Sequence, residues 1–126
     1  MEQQSVLDDT VVAELRDIMG TEYPTLVEAW LRDAAQRLEE LRQSHAQGNR
    51  KALREAAHTL KGSSSNLGAY AVSAHCAVLE QKADAWSPDV IAQQLVEISA
   101  AVEQASQALR TTLSEQQPAG MPGRGG

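Results

Sequence analysis

The sequence has no phenylalanine, and only two tryptophans and two tyrosines among its 126 residues. Large aromatic anchors are too few to fill a core, so the interior must be built from Leu, Val, Ile and Ala. Such side chains suit helices that approach one another closely. A single cysteine, Cys76, excludes an internal disulfide framework and fits a reducing compartment. Only four prolines occur: Pro118 and Pro122 lie near the C-terminus, and Pro24 and Pro88 fall where a first helical turn tolerates them. Basic residues are outnumbered, 11 against 17 acidic, for a net charge of −6. That balance lacks the basic footprint of a general nucleic-acid binder. No apolar run approaches the roughly 20 residues of a membrane helix. The opening MEQQSVLDD has neither a basic nor an apolar segment of the kind a signal peptide needs. The expectation is a cytoplasmic protein with no membrane and no nucleic-acid partner.

What is abundant is Ala together with Leu, Glu, Gln and Arg, the good helix formers. The organisation expected is a polar lead over residues 1–6, one helical domain over 7–115, and a Pro/Gly-rich disordered tail over 116–126. A first helix starts at Asp8 or Asp9 and places Val11, Leu15, Ile18 and Met19 on one stripe before Gly20 ends it. A longer helix follows to about His45, with Leu26, Val27, Trp30, Leu31, Ala34, Leu38 and Leu41 as its apolar face. Gln47-Gly48 breaks it, and Asn49 caps a third helix over about residues 50–66. After Gly68 a fourth runs over about 70–84, with Val72, Cys76, Leu79 and Ala83 on one side. Ser87-Pro88-Asp89 is a start signal for the last helix, whose Ile91, Leu95, Ile98, Val102, Ala105 and Leu109 form a bundle seam. Short connections force neighbours antiparallel, so the expected architecture is an all-α, up-down four-helix bundle with a short extra N-terminal helix.

The third helix carries the chemistry. On a wheel of about 100° per residue, Leu53, Ala56, Leu60 and Leu67 lie opposite His58 and must face the core. Lys51, Arg54, Glu55, Lys61, Gly62 and Ser65 lie within about 60° of it. His58 is thus centred on a solvent-facing strip among three cations and one anion. A charged strip is by itself an ordinary solvated face. Two neighbours point further. Gly62, one turn beyond His58, costs the helix about 1 kcal/mol relative to alanine and makes no turn. Either something must approach the backbone there, or a neighbouring helix packs against it. Lys61 is placed to reach a group bonded to the imidazole. A neutral imidazole is a competent nitrogen nucleophile, and together these residues describe a phosphoryl-accepting site.

Other chemistries fit less well. Lys61-Gly62-Ser63-Ser64 has the order of a phosphate-binding loop reversed, since that loop needs glycines before the lysine and a preceding strand. His45, His58, His75 and Cys76 show no metal-ligand spacing, so no metal is expected. Cys76 lies on an apolar stripe and reads as core. No Ser-His-Asp set and no ATP-binding segment can be argued.

Ala57-His58-Thr59-Leu60-Lys61-Gly62-Ser63-Ser64, followed by Leu67-Gly68-Ala69, resembles the signature of the histidine-phosphotransfer (HPt) family, roughly AHxLKGSSxxLGA. Gly48-Asn49 and Ala52-Leu53 upstream, and Cys76 with Leu79-Glu80 downstream, resemble its flanking helices, so that the likeness covers about residues 8–112. His75 stands where the family more often has an apolar residue. The resemblance implies that His58 is phosphorylated through Nε2, that Lys61 stabilises the phosphoryl group, that Gly62 gives access, and that Ser63 and Ser64 sit at helix contacts. It implies a bacterial phosphorelay carrier without kinase activity of its own. Its partners would be response-regulator receiver domains and hybrid sensor histidine kinases, docking on Lys51, Arg54, Glu55 and Ser65. No cofactor is expected, Mg2+ belonging to the receiver. The chain is expected to be a free-standing monomer, though an excised piece of a larger kinase would read the same. The alternative is a non-catalytic helical adaptor that binds a partner through the same surface. Acid-labile, alkali-stable phosphate on histidine separates the two.

Overall fold

The computed structural model describes residues 6–116, with the side chain of Gln116 left out. Residues 1–5 of the expected lead, and the expected tail from 117 onward, lie outside the described residues. Among the described residues five α-helices follow in order: α1 (Asp9–Met19), α2 (Tyr23–Ala46), α3 (Arg50–Asn66), α4 (Tyr70–Lys82) and α5 (Pro88–Gln116), with a 3₁₀ turn at Gly20–Glu22. Helices α2 to α5 form a ring in which each packs on its sequence neighbour and α5 returns to α2. This is the four-helix bundle that the apolar stripes require.

The punctuation works as the side chains dictate. Asp8 accepts from the amides of Thr10 and Val11 and caps α1. Asn49 Oδ1 accepts from Ala52 N at 3.0 Å to start α3, and Ser87 Oγ accepts from Val90 N at 3.3 Å to start α5. Gly68 adopts φ +77, where an L side chain is strained, and lets the chain reverse between α3 and α4. Its carbonyl accepts from Asp8 N at 2.8 Å, so the start of α1 is strapped to that reversal. Arg50 closes the other end of the bundle, donating from Nη1 to the carbonyls of Ala83 and Trp86 where α4 gives way to α5.

The core is one cluster. Val27, Leu41, Leu53, Leu60, Val72, Cys76, Leu79, Ile91, Ile98 and Leu109 lose all or nearly all contact with solvent, each contributing on the order of 1.5–3 kcal/mol for the larger aliphatic side chains. Tyr23, not counted among the expected core residues, is fully buried, its hydroxyl 2.7 Å from Thr112 Oγ1. One expectation for α1 is corrected. Ile18 is 76% exposed, while Val12 is buried and Leu15 and Met19 are partly so. The strap at Gly68 brings Val11 against the reversal and turns the Val12–Leu15–Met19 line inward, which rotates Ile18 out. Among the described residues no helix is long and apolar enough to cross a membrane.

Candidate functional site

Helix α3 presents the strip the wheel describes. Leu53, Ala56, Leu60 and Leu67 are buried, and the His58 side chain is 66% exposed on the opposite side. The buried arc is wider than those four residues, because Ala57 and Ser64 are also fully enclosed. Ser64 Oγ accepts a hydrogen bond from Trp30 Nε1 at 3.2 Å, a buried polar contact that fastens α3 to α2 beneath the strip. Ser63 is half-buried and returns its hydroxyl to the Leu60 carbonyl at 3.3 Å.

The residue that organises the site comes from α4. Glu80 receives His58 Nδ1 at 2.8 Å on Oε2 and Lys61 Nζ at 2.7 Å on Oε1. The hydrogen bond from Lys61, joined by the one from His58, holds the Glu80 carboxyl below its ordinary range against the opposing effect of burial. At neutral pH the group is therefore a carboxylate, which can only accept. It follows that Nδ1 carries a proton and donates a hydrogen bond to Glu80. In the neutral ring the lone pair is then on Nε2.

Lys61 shares this carboxylate with the ring. Gly62 is exposed, and a Cβ built on it meets no heavy atom within 4 Å. The reading in which a neighbouring helix packs against it does not hold. Lys51, Glu55 and Ser65 are exposed, and Ser65 Oγ lies 2.6 Å from Ser73 Oγ on α4. Arg54 forms an ion pair with Asp84. The local charge differs from what α3 alone suggests, since Glu80 and Asp84 of the next segment sit against Lys61 and Arg54. Three cations then face three anions, and the strip is balanced. A shallow groove beside the imidazole is lined by Lys51, Arg54, Glu55, His58, Thr59 and Glu80.

The resemblance to the family's flanking helix includes Glu80 but implies no role for it. Only an acidic residue following Leu79 on the apolar stripe hints at it, because i and i+1 on a helix bracket the edge of a buried face. Cys76, one turn earlier on α4, is fully enclosed, and burial together with the Glu80 charge pushes its thiol up to about 12. It is a core residue and no nucleophile. Among the described residues no group of three or more His, Cys, Asp or Glu is placed to hold a metal ion.

A family model for the Hpt domain matches residues 25–112. Among solved structures, the histidine-containing phosphotransfer protein B (HptB) of Pseudomonas aeruginosa PAO1 superposes with a TM-score of 0.82 at 28% identity, covering 90% of this chain and 98% of that one. A rice protein assigned as a histidine-containing phosphotransfer protein shares the fold, with a TM-score of 0.81 at 24% identity over 93% of this chain and 88% of its own. No curated protein matches the chain. With the family model spanning most of the sequence, and the bundle and its exposed histidine strip in place, the chain belongs to the Hpt domain family, the histidine-phosphotransfer modules of phosphorelays.

Proposed function

We propose that this protein is a phosphorelay carrier that takes a phosphoryl group on His58 Nε2 from the phospho-aspartate of a receiver domain and hands it to the aspartate of another response regulator. The observation that supports this most directly is the state of the ring. His58 is 66% exposed, with Nδ1 committed to an ionised carboxylate at 2.8 Å, so its nucleophilic nitrogen is directed away from the protein. Gly62, one turn on, leaves the approach to that face open. Lys61 is close enough to exchange Glu80 for an incoming phosphoryl group, offsetting its charge during transfer. In this reading Lys51, Arg54, Glu55 and Ser65 meet the receiver. Mg2+ belongs to the receiver, and the phosphate originates on a hybrid sensor histidine kinase.

The carrier has no kinase activity of its own in this reading. Incubation with phosphorylated receivers should label the wild-type chain with acid-labile, alkali-stable phosphate. His58→Gln should accept none while retaining its helical content by circular dichroism, because the side chain it alters lies opposite the core. His45 and His75 variants should label normally. Wild-type labelling of His58→Gln would overturn the site, and a chain that binds receivers without ever taking label would be an adaptor.

A further inference from the structure

Two arginines one turn apart on α3 hold the connection between α4 and α5, and the second of them belongs to the proposed docking strip. Arg50 donates to the carbonyls of Ala83 and Trp86, while the amides of Ala85 and Trp86 donate to the Lys82 carbonyl at 2.9 and 3.0 Å. The backbone on both sides of Asp84 is thereby fixed. Its carboxylate meets Arg54, which follows Arg50 by one turn and precedes His58 by one turn. Arg54 also lines the groove beside the imidazole. The two cations that flank His58 along the helix, Arg54 and Lys61, are therefore both occupied by anions in the free protein. The anions differ. Glu80 touches the ring itself, whereas Asp84 reaches the strip through Arg54. The Asp84 side chain is 72% exposed, so substitution there removes no core packing.

We infer that Asp84 is a positioning residue that screens receivers through Arg54. It occupies the guanidinium in the free protein, so that only a receiver whose own carboxylate or phosphoryl oxygens displace it gains Arg54 as a contact. The inference rests on the carrier reading and adds which residue sets the choice among receivers. A receiver that binds Mg2+ and carries phosphate on an aspartate presents carboxylates at its site, because Mg2+ takes oxygen ligands. Such an acidic site suits Arg54 and competes directly with Asp84. An exposed ion pair is weak enough to exchange. The backbone held by Arg50 keeps Asp84 in place to reclaim Arg54 when the receiver leaves. A poorly matched receiver fails to displace Asp84, loses the contact, and brings its acids against a carboxylate still in place.

The test uses a panel of purified receiver domains, charged with acetyl phosphate and assayed for transfer to the whole chain. Asp84→Asn should raise kcat/KM roughly two- to fivefold at low salt, the size expected for one exposed ion pair, through KM and with little change in kcat. The gain should fade at about 0.5 M salt, where exposed charges are screened. It should be larger for receivers that wild type serves poorly, so that the spread of kcat/KM across the panel narrows. Introduced into Arg54→Ala, the same substitution should give little further gain, because the two residues act as a unit. Circular dichroism of all three variants should match wild type. An unchanged kcat/KM or an unchanged spread in Asp84→Asn, a gain confined to kcat, or an equal gain without Arg54 overturns the inference and leaves the carrier reading standing. A wild-type chain that takes no phosphate from any receiver in the panel overturns both.

Discussion

Lys61 and Glu80 form an ion pair of 2.7 Å between α3 and α4, and this pair occupies the lysine before any phosphate arrives. For Lys61 to act on a phosphoryl group it must leave one anion for another, so its contribution is the difference between two similar interactions. Lys61→Ala should therefore slow transfer without preventing receiver binding, by an amount corresponding to about 1–3 kcal/mol in the barrier. Rapid-mixing kinetics at saturating receiver and low salt measure it. Unchanged rates would remove Lys61 from the mechanism.

The same pair gives stability a pH dependence of known sign. The folded protein holds Glu80 below its ordinary value of 4.5. Its contribution is then present above 4.5 and is lost as pH falls through the lower folded value. Urea unfolding at neutral pH and near pH 3 should show a smaller acid-induced loss in Glu80→Gln than in wild type. An equal loss in the two proteins would mean that the pair contributes nothing to folding.

Gly62 should separate stability from function. Beyond its own stretch of helix nothing lies within 4 Å of where its Cβ would be, so an alanine methyl there meets no neighbouring group. Alanine should raise stability by about 0.5–1 kcal/mol, and glutamine by somewhat less. Gly62→Gln should nevertheless transfer phosphate far more slowly, with Gly62→Ala intermediate, because the longer side chain obstructs approach to the imidazole one turn away. Thermal melts and transfer assays on the same preparations check both halves. A stable, fully active Gly62→Gln protein would refute the access role.

Gly68 should behave in the opposite way. It has φ +77, and a Cβ would stand 3.2 Å from both the Asp8 carbonyl oxygen and Val11 Cβ. Gly68→Ala combines backbone strain with a clash against the strap of α1, and should cost about 1–3 kcal/mol. Denaturant midpoints measure this. If α1 simply detaches, limited proteolysis should cut first between residues 9 and 22 while the phosphorylation of His58 persists.

Much of this protein was legible in one dimension because helices impose a period. Leu53, Ala56, Leu60 and Leu67 are buried opposite His58 as 100° per residue demands, and Asn49, Ser87 and Gly68 mark helix ends through local chemistry that acts over three or four residues. Ile18 escaped that logic, because the orientation of α1 is imposed by the Asp8–Gly68 hydrogen bond, which joins segments sixty residues apart. Tyr23 escaped it too, since its hydroxyl meets Thr112, 89 residues further along the chain, a contact that no local spacing announces.

The site divides along the same line. His58, Lys61 and Gly62 share one helix, so their common face follows from sequence spacing alone. Glu80 lies 22 residues from His58 on the next helix, and its place depends on the rotation and offset with which α4 packs on α3. Those are set by the turn at Gly68 and by how Leu60, Val72, Cys76 and Leu79 fill the space between the helices. A helical period determines which residues face outward, but only close packing between two helices determines which outward residues meet. The sequence by itself therefore determined the exposed histidine and its neighbours on α3, while the tertiary structure decided which carboxylate accepts a hydrogen bond from its ring.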